Sequence, residues 1–484
     1  VDGPDGADVV VVGAGITGLT VAFTLATRHP GTRVAVMEGA DRVGGKILTT
    51  PFAGRPVDCA ADAFLVRVPE ARDLCVELGL GAVLAPPAER SARVWARGEL
   101  RRLPAGLVLG VPTDLEALAG SGIVGAEAVE RARRDLRADA PPAGEPTGDP
   151  EGAGDLSVGQ LVRGRLGDEV FEQLVSPLLS GVNAGDADEL SVAAGAAQLG
   201  AAARRGPSLV EGLRLQQQAA RDAGADPDAP VFDGIPVGTQ ALTDLLLARC
   251  TTAGVEVHLG CPALALRRVG GTPAHVVDTP AGPRRADRVV LCTPAPASAR
   301  LLGELAPGVA EGLAELEYAS VAMVTLAVSR AALGVALDAS GFLVGGGDRL
   351  PVLTACSWAS RKWAHLDDPD VAVLRASVGR HGDTAALALD DDELVRAVAA
   401  DLATTMGLAA APVQARVTRW PDALPQFRPG HLARVRAWRE ELAVTAPGVV
   451  LAGAAYDGLG IPACVRQGRR AAEQVAGTRG TPGT

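Results

Sequence analysis

The residues best placed to do chemistry stand at the start of the chain. In VVVVGAGITGLTVAFTLA, a β-branched run leads into Gly13, Ala14, Gly15, Ile16, Thr17 and Gly18, and then into a helical pattern. Gly13 permits a tight turn, Gly15 lets the backbone approach a pyrophosphate, and Gly18 allows close packing of helix on strand. The N-terminus of the following helix stabilises phosphate charge. A second strand at 33–37 ends at Glu38, twenty residues beyond Gly18. A carboxylate there accepts hydrogen bonds from a ribose hydroxyl and repels a 2′-phosphate. The chemistry implied is the binding of a dinucleotide left unphosphorylated at that ribose.

Other chemistries lack their residues. The six His never fall at i, i+4, and the seven Cys (Cys59, Cys75, Cys250, Cys261, Cys292, Cys356, Cys464) form no close pair. Neither a zinc cage nor a disulfide framework is expected, and a reducing cytoplasm fits best. No Ser/His/Asp set, metal constellation or carboxylate pair stands out, so no catalytic side chain and no metal ligand is nominated.

The elements that must hold these residues belong to a large protein. With 484 residues, 48% hydrophobic and 21% charged, the chain supports two or three domains around a sizeable core. A net charge of −11 argues against nucleic acid or an anionic membrane as partner. Apolar stretches such as 321–328 fall far short of the roughly 20 residues that span a bilayer, and the first residues lack a secretory pattern. Helical patterns occupy 126–136, 156–166 and 169–179, with a Pro, Gly and acid-rich mobile loop expected at 138–155. Helical residues resume within 236–250, before short strands at 255–259 and 288–292. Strands at 321–328 and 371–378 precede an acid-capped helix from Asp390. The last segment again reads as strand, Gly-rich turn and helix, which brings the C-terminus back to the first domain.

After Glu38 and Gly39 the chain continues with Arg42, the pair Gly44 and Gly45, and Lys46. This GADRVGGK run resembles the flavin amine oxidase and protoporphyrinogen oxidase superfamily, in which an extended loop after the second strand covers the FAD pyrophosphate. The stretches at 62–80, 102–118, 176–191 and 419–427, with the C-terminal helix, resemble bacterial porphyrinogen oxidases, most of all the actinobacterial and other Gram-positive coproporphyrinogen III oxidases. The resemblance runs from Asp8 to Gly477. It implies a mixed α/β and α+β fold: a discontinuous Rossmann-like FAD-binding domain (1–84, 210–300, 416–484), a helical insertion (85–209) like one that docks relatives on membranes, and a mixed-sheet substrate domain (301–415, with part of the helical insertion).

Carried over residue by residue, the resemblance implies non-covalent FAD contacts at Gly13 to Gly18, Glu38, Gly39, Arg42, Gly45, Lys46, Ala60, Ala61, Asp62, Ala63, Val257, Trp420, Gly453, Ala454, Leu459, Gly460 and Ile461. Ala60 stands where relatives often carry Gly. Val257 reads equally as a core strand residue, and Trp420 has a core aromatic as its plainer reading. Gly181, Val182 and Asn183 are candidates for the substrate pocket wall, with a helix-ending turn as the alternative. Arg67 is a candidate for a substrate propionate or else a solvated cation.

The implied reaction is the oxygen-dependent, six-electron oxidation of coproporphyrinogen III to coproporphyrin III in haem synthesis. FAD takes a hydride in each of three cycles, its reoxidation by oxygen releases hydrogen peroxide, and the cofactor carries the chemistry. Protoporphyrinogen IX oxidation is the first alternative. A flavin amine oxidase is the second, disfavoured because only Tyr318 and Tyr456 could supply tyrosines to an aromatic cage. A partner enzyme of the haem pathway is conceivable, and membrane contact is expected to be weakly peripheral at most.

Overall fold

A computed structural model describes residues 6–137, 149, 151–152, 154–226, 229–271 and 274–477. The loop expected at 138–155 falls largely outside them.

The opening valines form the centre of a parallel sheet. Strand Gly6–Val12 lies between Val34–Met37 and Gly282–Leu291, with Glu256–His258 outside the second strand and Val449–Leu451 beyond Gly282–Leu291. Successive strand side chains point to opposite faces, so the four valines that end this strand must be covered on both sides. Val9 and Val11 join a core with the helices Ile16–Arg28, Gln240–Thr252 and Ile461–Ala476. Val10 and Val12 join another with Ala295–Leu302, Pro307–Ala314 and His431–Thr445. An antiparallel extension, Ala265–Arg268 and His275–Thr279, widens this sheet. First and last helices touch closely because a Cβ on Gly468 would stand 2.7 Å from the Thr17 carbonyl.

A second, mostly antiparallel sheet runs in the order Gln414–Pro425, Tyr318–Ser329, Val371–Val378, Leu353–Trp358, Gly341–Val344, Arg93–Ala96, Glu99–Arg102. Strands at 93–102 and 414–425 thus pair with strands from 301–415. One face packs on helix Asp391–Met406 through Leu394, Val398, Leu402 and Met406. That helix starts with a capping box, in which Asp390 accepts from the Glu393 N–H and Glu393 from the Asp390 N–H.

A separate, mainly helical core is built from buried residues between 108 and 213 together with Val94, Ala96 and Phe427. It includes Ser176–Asn183, reached through one wide turn at 171–175 and closed by Ala184 in a left-handed conformation (φ 47°). Helix Leu209–Asp222 packs on this core and not on the parallel sheet. Asp135 anchors its start, accepting from Ser208 Oγ (2.7 Å) and the amides of Leu209 and Val210.

Candidate functional site

The glycine turn sits at the carboxyl end of the central strand, where dinucleotides bind in open α/β sheets. Gly13 has φ +102°, and a Cβ on it would meet the Cys292 carbonyl at 3.0 Å; one on Gly18 would stand 1.9 Å from the Gly13 carbonyl. Gly15 differs, since no atom lies within 4 Å of its missing Cβ. It also begins helix Ile16–Arg28 with no side chain capping the free N–H groups. A bare, open helix N-terminus of this kind suits a diphosphate. Glu38 closes the turn from the neighbouring strand: one carboxylate oxygen accepts from the Ala14 N–H (2.6 Å), the other from the Ala40 N–H (2.8 Å). Val257 lies on the edge strand beside Val36, and the next residue, His258, accepts from the Glu38 N–H.

The following loop folds back on the turn. Gly44 forms a parallel bridge with Gly15 and donates to the Ala14 carbonyl (2.8 Å), and a Cβ on Gly45 would be 3.3 Å from Gly15 Cα. Arg42 holds the loop shut through the carbonyls of Val43, Gly45 and Ile47. Gly39, partly covered by Pro262, leads into this loop. Lys46 points the other way: its ammonium donates to the Ala423 carbonyl and lies 5.8 Å from the Tyr318 ring centre. Burial lowers the Lys46 pKa and pushes the Tyr318 hydroxyl up to about 12.

The C-terminal segment completes the cradle. Gly460 begins helix Ile461–Ala476, again without a side-chain cap. Thr17, in the first turn of the first helix, packs against Gly468 of the last, so the two helices run in close contact. Gln467, buried and not anticipated, holds the intervening turn by accepting from the amides of Gly453 (3.2 Å) and Asp457 and donating to the Gly458 carbonyl. This draws Gly453, Ala454, Leu459, Gly460 and Ile461 to the same sheet edge.

Residues 59–63 join the two sheets. Trp420 Nε1 donates to the Cys59 carbonyl (3.1 Å), Arg375 to the Ala60 carbonyl and Thr239 to the Ala61 carbonyl. Asp62 receives Lys362 Nζ (2.9 Å), Arg375 Nη1 (2.7 Å) and Trp363 Nε1 (3.0 Å). Burial alone would raise this carboxyl, but Lys362 and Arg375 outweigh it and hold Asp62 well below the usual carboxylate range. Ala63 packs with Phe52 and Trp363. Nothing in the sequence around Arg375, Lys362 or Trp363 marks them as neighbours of this loop. The chain's two lysines, Lys46 and Lys362, both lie at this junction.

Strand register defines what faces the cradle. Cross-strand partners point to the same side, and Trp420, Arg416 and Arg375 reach from this side to residues 50–60. One row on this face runs Thr418, Met323, Ser377, Ala355, Leu343 across five strands. All five are half-buried and none is ionisable, whereas the opposite face is core. At about 4.8 Å between strands, the row spans about 19 Å. Helix Ser176–Asn183 covers its far end, and a Cβ on Gly181 would touch Leu343 at 3.3 Å. Gly181 and Val182 are exposed there, Val182 at 59%. Asn183 turns inward: its amide donates to the Leu179 carbonyl (3.0 Å), and its own carbonyl accepts from Gln426. Arg67 is exposed, donates to Gln198 (3.0 Å), and so ties the strand after the 59–63 loop to the helical region.

A parallel sheet with a glycine turn, an acidic residue ending the second strand and two open helix N-termini is a dinucleotide-binding protein, here with a sheet-floored chamber beside the nucleotide cradle. Residues 16–476 match the family described as flavin containing amine oxidoreductase, and the chain belongs to that family. It is 36% identical to the coproporphyrinogen III oxidase of Mycobacterium bovis and 31% identical to that of Bacillus subtilis, in each case over 96% of both chains. A solved Exiguobacterium structure, assigned as a protoporphyrinogen oxidase, superposes with a TM-score of 0.85 at 31% identity, over 98% of this chain and 99% of the other. The cofactor of this family is FAD, and the open space at Gly15 with the two uncapped N-termini fits its diphosphate.

Proposed function

We propose that this chain is a porphyrinogen oxidase of haem synthesis that converts coproporphyrinogen III to coproporphyrin III with oxygen as final acceptor and release of hydrogen peroxide. One observation carries the reading beyond kinship: the uncharged row from Thr418 to Leu343 offers a flat, wide floor next to the flavin cradle, suited to a flat macrocycle. Bound there, FAD supplies the two-electron acceptor for oxidation of a methylene bridge carbon. The protein's part is positioning and exclusion of water. Gly13 to Gly18, Glu38, Arg42, Gly45 and the turn 453–461 bind the nucleotide. The Trp420, Arg375 and Lys362 contacts hold loop 59–63, and with it the flavin side of the cradle, at a fixed distance from the floor. Gly181 and Val182 form part of the wall, with Arg67 at the margin.

The same reading keeps the three-part division, with the strands at 93–102 and 414–425 contributing to the substrate sheet. It places the enzyme in the cytoplasm; seven free cysteines support this, as does the lack, among the described residues, of a helix long and apolar enough to cross a membrane. A later haem-pathway enzyme is the partner class that such a product calls for.

The test is the initial rate of porphyrin fluorescence gain in air, corrected for autoxidation, with coproporphyrinogen III and separately protoporphyrinogen IX, with peroxide measured alongside. A faster rate with the first supports the proposal. A faster rate with the second moves the enzyme to protoporphyrinogen oxidation. No enzymatic rate with either, together with amine-dependent peroxide release, overturns it in favour of an amine oxidase.

A further inference from the structure

The chamber's floor is uncharged, yet a porphyrinogen with propionate arms needs cations at the edge of the site. Most half-buried arginines here are already engaged. Arg93 grips Asp338, Arg163 grips Asp188, Arg439 grips Asp457, and Arg375 and Arg416 each carry a bare Nε but have their terminal nitrogens occupied. Arg380 differs. It is half-buried, its Nε is fully shielded without an acceptor, and its guanidinium makes no hydrogen bond or ion pair among the described residues. Asp383 and Asp186 are within electrostatic reach but form no ion pair with it.

Its position follows from the register. Arg380 comes two residues after strand Val371–Val378 ends, past Gly379 (φ +88°), whose missing Cβ would stand 3.0 Å from the Ser320 carbonyl. The next residue, His381, donates its N–H to the Ala184 carbonyl (2.7 Å), at the end of the helix that walls the chamber. Arg349 lies on the loop joining Gly341–Val344 to Leu353–Trp358, and Leu353 pairs with Val378, so both arginines occupy the same end of the sheet. Arg349 is exposed and likewise makes no hydrogen bond or ion pair among the described residues, and it is close enough for its charge to act on Arg380. Asp383 and Asp186 offset part of the repulsion between these two guanidiniums but supply no acceptor to the shielded Arg380 Nε, and an acceptor there would remove the cost of leaving it bare.

We infer that Arg380 and Arg349 form a carboxylate-binding rim at the Ala184 end of the chamber, and that they grip a propionate of the substrate. The inference rests on the porphyrinogen reading and deepens it by naming the cations that favour a substrate with more carboxylates. A guanidinium binds a carboxylate with two parallel N–H donations, so one such contact fixes both the position and the rotation of the macrocycle over the floor.

The test compares wild type, Arg380→Gln, Arg349→Gln, the double variant and Arg380→Lys as FAD-loaded enzymes. Steady-state rates with coproporphyrinogen III are taken at several salt concentrations, with coproporphyrin III binding read by fluorescence titration. Arg380→Gln is expected to raise KM and the porphyrin Kd about tenfold while kcat stays within about twofold, and to flatten the salt dependence. Arg349→Gln acts in the same direction but less, and Arg380→Lys recovers part of the loss. If Arg380→Gln fails to retain FAD, Arg349→Gln and Arg380→Lys provide the same contrast. KM, Kd and salt dependence unchanged in a folded double variant would overturn the rim while leaving the proposed reaction intact. A wild type that neither oxidises the porphyrinogen nor binds the porphyrin would remove both.

Discussion

Asp62→Asn tests how the cradle is held to the chamber. The carboxylate receives three donors, Lys362 at one oxygen and Arg375 with Trp363 at the other, and the three side chains of the ion-pair cluster are 15%, 19% and 4% exposed for Asp62, Lys362 and Arg375. Asparagine fits the same space. Its best orientation keeps the amide oxygen toward Arg375 and Trp363 and turns the NH2 toward the Lys362 ammonium, so one bond becomes a donor facing a donor. Two buried cations then lack a counter-charge. Breaking a buried pair by neutralising one partner costs about 3–5 kcal/mol, and the retained bonds favour the lower end, about 3 kcal/mol. At about 1 °C per kcal/mol for a chain of this size, the melting temperature should fall by about 3 °C. Because loop 59–63 borders the cradle, FAD should also be released earlier on heating, measured as the rise of free flavin fluorescence alongside the far-ultraviolet circular dichroism melt. The sign with pH is set by the depressed carboxyl: its contribution is complete above the unfolded value near 4 and disappears as pH falls below that. A loss under about 1 kcal/mol with unchanged flavin release would mean that water screens the cluster as it screens a surface pair, and the latch would be refuted.

Other outcomes follow from the same geometry. Gly18→Ala places a Cβ 1.9 Å from the Gly13 carbonyl and should give poorly folded, colourless protein, whereas Gly15→Ala fills open space and should leave the apoprotein melt unchanged while FAD affinity, read by flavin fluorescence quenching, falls about tenfold. Equal effects of the two would contradict the assignment of that space to the cofactor. Trp420→Phe removes the donor to the Cys59 carbonyl and should cost about 1 kcal/mol in a denaturant titration, with little change if the bond is unimportant. His431 is buried against Phe427 (ring centres 4.4 Å apart), donates to the Tyr456 carbonyl, and is held by burial at a pKa of about 4. Its folded pKa is below the unfolded one, so its stabilisation is complete above about 6.5 and disappears as pH falls toward 4, a loss of about 2 kcal/mol at pH 5. The melting temperature of His431→Gln should therefore drop less between pH 7 and pH 5 than that of the parent, and parallel profiles would reject the reasoning.

Much of the cofactor half was readable from the chain itself, because its determinants are local. The turn from Gly13 to Gly18, the helix behind it and Glu38 at the end of the next strand depend on backbone sterics and on the length of one βα unit. The strand at 371–378 and the helix capped by Asp390 were readable for the same reason, since alternation and capping act over a few residues.

The chamber was decided only by tertiary structure. Asp62 meets Lys362 and Trp363 from 300 and 301 residues away, and nothing local to Arg375 marks it as the cation that faces them. Likewise Thr418, Met323, Ser377, Ala355 and Leu343 are unremarkable in sequence and become one row through the register of five strands. Register is a long-range property: a slip of one residue would turn that row into the core and its neighbours toward the flavin, and only the packing of the opposite face on helix Asp391–Met406 selects between the two.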